Sequence, residues 1–583
     1  MEKIIYRLSA SWLLAALLQL AITGESFTRL DFSRSSSLMV FLMLAALFFL
    51  LLSLARYLLP PRLDTDRSVL MTALAGYGCC LLLLHQEFYF LLGLTLACVL
   101  AVCYLARRPF SLSAQLTFTQ VRWILALLAC YSAVFISIVT VGRYLTHVTS
   151  TYDFGIFAQM FHSMKTRLTP VTTCERDMAL SHFAIHLSPA YYLLLPFYWL
   201  APSPITLQLL QAVLLASGIL PLYKLCRLKG CSPAVTLCIG AAYCLSPALM
   251  GGCFYDIHEN FMLAPLLLWL LWALSAQKRA WLVGIIALAT LFVKEDAAVY
   301  VACVGLYWLL DKRQLKRGGA LLAGSVGYFA LALLILKAQG HGVMTNRYDN
   351  FISHDSLGLL SVFHTLLVDP AYLISQVFTQ EKLIFALSML VPLAFLPFML
   401  RRPGQLALWI PFVLVNLMSN YTYQHSIYFQ YVFGSMALLI YLTLENLSGL
   451  PCRWRRTAAL SMALASLFFH LGLTFQRSGV LNQYLANREL HQQIDSALAR
   501  IPDDASVIST TYLLPQLSQR DEIYMYPSSH DAEYLVIDTR PGRVTEVNGQ
   551  ATTAQALIVQ HQQQGYEIFA QVQDGVCILR KGR

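Results

Sequence analysis

Asp153 is the first acidic residue after a long apolar run. It opens a stretch, Tyr152–Pro189, that also holds His162, Glu175, Asp177, His182 and His186. A carboxylate just past the end of a membrane helix can take a proton from an acceptor hydroxyl or amine. Asp is equally a good cap for the helix that follows. His182 and His186 stand four apart, so on a helix they share one face. With Asp153 or Glu175 they could bind a divalent metal or a phosphate, or they could simply pack as aromatic-like rings. Downstream, Phe254–Asn260 (FYDIHEN) sets Asp256, His258 and Glu259 together, as a metal-ligand set or as a hydrogen-bonded turn. Lys294-Glu295-Asp296 interrupts apolar sequence between Val293 and Ala297. Charges are costly to leave in lipid, so these three must be paired, hydrated or used. Lys294 suits a phosphate or diphosphate, with Glu295 or Asp296 as counter-charge; an interfacial turn with an internal ion pair is the plainer reading. No zinc-peptidase, P-loop or dinucleotide motif occurs.

The elements that must position these residues are membrane helices. The 583 residues are 57% hydrophobic and 12% charged, with a mean hydropathy of +0.60. That is about half the charge of a soluble domain. Fifteen apolar segments are long enough, or nearly so, to cross a bilayer: 8–23, 38–59, 69–84, 87–105, 121–142, 206–226, 232–250, 261–276, 280–293, 297–310, 319–337, 383–400, 405–420, 427–446 and 458–475. The first is read as a retained anchor. Alternating from a cytoplasmic N-terminus places Lys3/Arg7, Arg56/Arg62/Arg67, Arg107/Arg108/Arg122, Lys224/Arg227/Lys229, Lys278/Arg279, Lys312/Arg313/Lys316/Arg317, Arg401/Arg402 and Arg453/Arg455/Arg456 in short inner loops. This is the positive-inside pattern. It accounts for the net charge of +10 without nucleic acid as a partner. The pattern requires 189–201 (PAYYLLLPFYWLA) to lie in the interface rather than cross.

Every polar cluster then falls on the outer face, including a large first outer loop (143–205) and a long loop (338–382) with His341, Arg347, His354 and His364. An aromatic stripe (Tyr421, Tyr423, His425, Tyr428, Tyr431) joins them. Cys174, Cys253 and Cys577 lie on the same side and could form a disulfide. Three regions follow: N-terminal membrane helices (1–120), a membrane core (121–475), and a polar tail (476–583). The tail reads as helix 483–500, strands 505–510, 523–526 and 533–538, helix 551–564, and strands 566–571 and 575–580. The expected fold class is an all-α polytopic membrane protein with a small extracytoplasmic α/β domain.

Several blocks are family signatures: YDFGIF with Gln159, SHFAIHLSP with LLLPFYWLAPSP, LQAVLLASGILPLY, FYDIHEN, VKED and IPDDASVISTTYLLPQLSQRDEIYMYP. Over roughly 120–540 they resemble domain-of-unknown-function family 2079, a family of bacterial multi-pass membrane proteins, which is in turn similar to the GT-C superfamily of membrane glycosyltransferases. That resemblance implies a GT-C-like core in the bacterial inner membrane. The implied activity is sugar transfer from a polyprenyl-phosphate donor to an envelope acceptor at the outer face. Asp153 takes the position of the superfamily's acidic residue, implying that it activates the acceptor nucleophile, and His186-Leu187-Ser188-Pro189 is a partial counterpart of a later motif. The implied substrate-binding residues are Lys294, Glu295, Asp296, His182, His186, Asp256, His258 and Gln159. A divalent metal could sit on Asp256, His258 and Glu259. The chain departs from the superfamily in having a single Asp at 153 and about four extra spans before the core. A transporter, which would continue a polar path inward, and a non-catalytic envelope-assembly protein are the alternatives.

Overall fold

The computed structural model describes residues 2–23, 26–58, 65–106, 116–339, 346–354, 360–547 and 549–582. Its membrane part comprises α1 (Glu2–Thr23), α2 (Leu38–Leu58), α3 (Thr65–Leu84), α4 (Phe88–Leu105), α5 (Phe118–Leu145), α6 (Ile156–Arg167), α7 (Pro204–Leu228), α8 (Pro233–Cys244), α9 (Leu263–Ser275), α10 (Ala280–Leu291), α11 (Ala297–Leu310), α12 (Leu315–Ala338), α13 (Gln380–Leu390), α14 (Phe433–Ser448) and α15 (Cys452–Phe469). Among the described residues ten helical segments are long and apolar enough to cross a membrane. The expected count of fifteen is therefore too high for full-length spans. The segments at 261–276, 280–293, 297–310 and 405–420 form shorter apolar helices. The segment at 383–400 stops at Leu390, because Pro392 and Pro397 follow and proline cannot continue the backbone ladder.

Apolar patterning decides which helices lie inside. α14 is apolar all round and buried over nearly its whole length, as a central helix should be. α2 has no buried residue and presents its side chains outward, as a lipid-facing helix does. α11 and α12 touch backbone to backbone. A Cβ on Gly305 would meet Leu322 N at 2.8 Å, and one on Gly318 would meet Leu309 N at 2.6 Å. Close small-residue packing of this kind replaces the hydrophobic effect where the surroundings are already apolar. The segment at 189–201 is two short helical turns, Pro189–Leu193 and Leu195–Leu200, with Leu193, Phe197, Trp199 and Leu200 exposed.

The tail folds around β3 (Val507–Ser509), β4 (Ile523–Met525), β5 (Tyr534–Asp538), β8 (Tyr566–Val572) and β9 (Val576–Lys581). The numbering counts β1 (Val171–Thr172) and β2 (Leu180–Ser181) of the outer loop and a hairpin, β6 (Thr545–Val547) and β7 (Gln550–Thr552). The five strands form one mixed sheet in the order β4-β3-β5-β9-β8, with β5–β9 and β9–β8 antiparallel. Alternate residues face opposite sides. Val507, Ile523, Val536 and Ile578 pack on α16 (Arg488–Leu498), while Ile508, Leu535, Cys577 and Leu579 pack on α17 (Ala554–Gln563). The predicted strands and the helix at 551–564 are present, the predicted helix 483–500 is divided at Asn487 into Gly479–Ala486 and Arg488–Leu498, and the short helix Leu514–Leu517 and the β6–β7 hairpin lie outside the expectation.

The sheet domain is clamped to the membrane part. Arg540 donates to the carbonyls of Thr146 (3.0 Å) and His147 (2.8 Å), and Gln516 donates to Tyr144 O (2.8 Å). Ile156 and Cys174 enter the same apolar cluster as Ile494, Val507 and Leu514.

Candidate functional site

The site begins where α5 ends. The chain turns at His147, in the left-handed region at φ 53°, and runs through Ser150 to Gly155 before α6 starts. Asp153 lies at the apex, with φ 64° and ψ −72°. This is the tight γ-turn of positive φ, which is rare and strained for any residue with a Cβ. Such strain costs about 1–3 kcal/mol and persists only where the surroundings over-determine it. Here the sheet domain does so. Thr151 N donates to Thr511 Oγ1 and Thr151 Oγ1 donates to Thr511 O, both at 3.1 Å. Ser150 Oγ donates to Tyr152 O (3.0 Å). Gly155 sits so close to Leu514 that a Cβ would meet its Cδ2 at 2.9 Å. The half-buried Asp153 carboxylate makes no hydrogen bond or ion pair with any described residue. It lies within electrostatic reach of Tyr191, Tyr255, Asp256, Tyr421 and Tyr431.

Behind Asp153 lies a buried ionic network. Glu259 is wholly buried and takes the Lys294 ammonium at 2.9 Å, His258 Nδ1 at 3.0 Å and the Tyr191 hydroxyl at 2.7 Å. The Tyr191 oxygen accepts from Glu259 N (2.9 Å), so each group satisfies the other. Burial alone would lower the Lys294 ammonium. The carboxylates of Glu259, Asp296 and Glu295 outweigh that effect and hold it above the ordinary lysine value. Lys294 is thus a buried, charged and neutralised group. Glu295 turns the other way, accepting from Leu187 N (3.0 Å) and pairing with His186 Nδ1 (2.9 Å). Burial and Lys294 depress His186 below an ordinary histidine. His182 pairs through Nδ1 with Glu175 (2.9 Å), while its Nε2 is buried without a partner. Asp296 keeps one buried, unbonded oxygen, and burial pushes its carboxyl up to about 6.

Asp256 points away from its sequence neighbours. Its backbone adopts φ 105°, and its carboxylate faces Gln208 Nε2 (2.8 Å) and Arg143 (3.6 Å). Burial pushes it up to about 7 against the pull of Arg143 and Gln208. Asp256 therefore does not converge with His258 and Glu259, and among the described residues no three such groups could hold a metal ion. Gln159 lies elsewhere. Its amide bridges Thr173 N (2.8 Å), Thr173 Oγ1 (2.8 Å) and Asp521 O (3.1 Å), tying the outer loop to the sheet domain. Cys174, Cys253 and Cys577 are unbridged and sit in three different apolar clusters. His354 and His364 meet edge to face at 5.0 Å between ring centres, and His341 lies outside the described residues.

The open side of the Asp153 turn is aromatic. Tyr255 packs on Phe429 (4.8 Å), Phe429 on Tyr423 (4.3 Å), and Tyr423 on Tyr421 (5.0 Å). The Arg347 guanidinium stacks on both Tyr421 (4.8 Å) and Tyr431 (5.0 Å) and donates to the Tyr431 hydroxyl (3.2 Å). The charges of Asp153, Lys294 and Arg347 all reach Tyr431, which makes it the meeting point of the turn, the network and the aromatic wall. Arg347, Tyr255 and Phe429 carry no motif. Their only sequence signal is the density of aromatic residues around 421–431 and one arginine in a long outer loop.

A helical bundle with a polar end capped by a sheet domain defines a multi-pass membrane protein whose working groups gather at one end. The family model of the predicted membrane proteins of DUF2079 matches residues 143–578, that is, 436 of the 583 residues, and the chain belongs to this family. The match opens at the end of α5, just before the Asp153 turn, and runs through the sheet domain. No curated protein matches the chain.

Proposed function

We propose that the protein is a membrane glycosyltransferase of the GT-C kind, moving a sugar from a polyprenyl-phosphate donor to an envelope acceptor at the outer face. The observation that carries this reading is the Asp153 carboxylate, bonded to no described residue and held in a strained turn whose charge meets that of Arg347 at Tyr431. Strained backbone and unsatisfied polar groups gather where a protein does chemistry. Asp153 accepts the proton of the acceptor hydroxyl as its oxygen attacks the anomeric carbon. The bond from that carbon to the phosphate oxygen breaks, and polyprenyl phosphate leaves with the electron pair. Arg347 would hold the departing phosphate, because its planar, forked guanidinium matches phosphate geometry. Tyr255, Tyr423 and Phe429 offer ring faces to the sugar. The arginine- and lysine-rich loops at the opposite end of the bundle support an outer-face reading of the site by the positive-inside rule.

The test is transfer of labelled sugar from a polyprenyl-phosphate donor in proteoliposomes, read as release of polyprenyl phosphate. Asp153→Asn should lower turnover by roughly 10²–10⁴-fold. Turnover equal to wild type would remove Asp153 from the reaction. A wild-type protein that moves labelled lipid across the bilayer without breaking the sugar–phosphate bond would make it a transporter.

A further inference from the structure

At the end of the bundle away from the sheet domain, a second cavity opens between helices that the proposed chemistry leaves unused. It has a volume of about 630 Å³ and lies between the starts of α3, α8 and α15 and the end of α4. Its walls are apolar, including Met71, Leu237, Leu460 and Leu464. Its rim carries Arg453 and Arg456, and no acidic side chain among the described residues lines it. The two arginines are three apart on α15 and so project from neighbouring positions of the same helix. Both are exposed, and Arg456 makes no hydrogen bond, ion pair or ring contact with any described residue. Arg453 touches only the ring of its neighbour Trp454 (5.0 Å) and, through its carbonyl, the Thr457 hydroxyl. Arg455, between them, is held by the carbonyls of Ser448 and Leu450 and serves the fold. The arrangement is therefore an apolar slot between membrane helices with two uncompensated guanidinium groups at its mouth.

We propose that this cleft binds an anionic phospholipid, its phosphate against Arg453 and Arg456 and an acyl chain in the slot. Basic pockets between membrane helices recognise anionic headgroups in this way. A guanidinium pair favours a headgroup of net negative charge over a zwitterionic one, whose phosphate is already offset by its own ammonium. The volume lies within the roughly 300–1,000 Å³ of small-ligand sites. Soluble anions lack the chain that the apolar walls require, so the charge and the shape together select a lipid. The inference stands independently of the chemistry assigned to Asp153.

The experiment is native mass spectrometry of the purified full-length chain, titrated in detergent with dioleoylphosphatidylglycerol or dioleoylphosphatidylcholine. Wild type should retain the anionic lipid at a concentration roughly tenfold lower than the zwitterionic one. R453Q/R456Q should lose that preference, while R313Q/K316Q, two exposed basic residues outside the cleft, should keep it. Because Arg453 and Arg456 form no ion pair with any described residue, R453Q/R456Q should elute and unfold as wild type does. Equal retention of the two lipids by wild type, an unchanged preference in R453Q/R456Q, or an equal loss in R313Q/K316Q would each overturn the proposal.

Discussion

Glu259 and Asp153 are two carboxylates at the same end of the same bundle, both within reach of Tyr191, and their surroundings are opposite. Glu259 is wholly buried and is met by an ammonium, an imidazole and a phenol. Asp153 is half-buried, bonded to nothing, and carried on a backbone that resists its shape. The difference separates what holds this end together from what it is held together for. A buried charge held against a counter-charge is architecture, and its removal leaves the partner charge stranded. An unpartnered charge in a strained turn makes no contribution to stability that its loss would remove. The sequence presents both as acidic residues at the edge of an apolar run, and only their neighbours tell them apart.

The largest expected effect breaks the architectural side. Glu259→Gln leaves the Lys294 ammonium buried without its counter-charge and should destabilise by about 3–5 kcal/mol. Thermal unfolding in detergent measures this, and Glu259→Gln with Lys294→Met should recover most of the loss. Asp256 gives the next effect, through pH. Its carboxyl sits at about 7 in the folded chain, above its ordinary value, so the folded state binds the proton more tightly than the unfolded. Its stabilising contribution is present at low pH and is lost as pH rises through about 7. Asp256→Asn should flatten that slope by about 2–4 kcal/mol between pH 5 and pH 8 in melts at stepped pH.

Two smaller effects sharpen the reactive side. Thr511→Val removes the acceptor for Thr151 N and should cost about 1 kcal/mol. Its effect on turnover should be larger than that, because the Asp153 turn is released from its clamp. Asp153→Gly relieves the positive φ and should raise stability by about 1 kcal/mol while abolishing transfer. A stabilising change that destroys activity is the signature expected of a strained working group.

Much of the framework was legible in the chain. Continuous apolar runs in β3, β5 and β9 announce a sheet covered on both faces, and the tail's strands fall where those runs place them. The apolar runs locate the helices but overstate their lengths, because Pro392, Pro397 and Pro411 interrupt segments whose hydropathy alone looks continuous. The Tyr152–Pro189 stretch, FYDIHEN and Lys294-Glu295-Asp296 do meet at one end of the molecule, but their roles are not readable from residue type. Lys294 looks like a phosphate ligand until Glu259 is seen beside it. Gln159 looks like part of the reactive loop until its amide is found bridging that loop to the sheet domain. Arg347 has no motif at all, since its place depends on tyrosines far along the chain that only the fold brings near.

The most direct test of the contrast is the unfolding midpoint of Asp153→Asn, measured beside Glu259→Gln under the same conditions. If Asp153 is unbonded and reactive, its amide variant should melt within about 1 °C of wild type or above it, while Glu259→Gln falls by many degrees. If Asp153→Asn falls as Glu259→Gln does, Asp153 is another strut of the buried network and the assignment of chemistry to it is wrong.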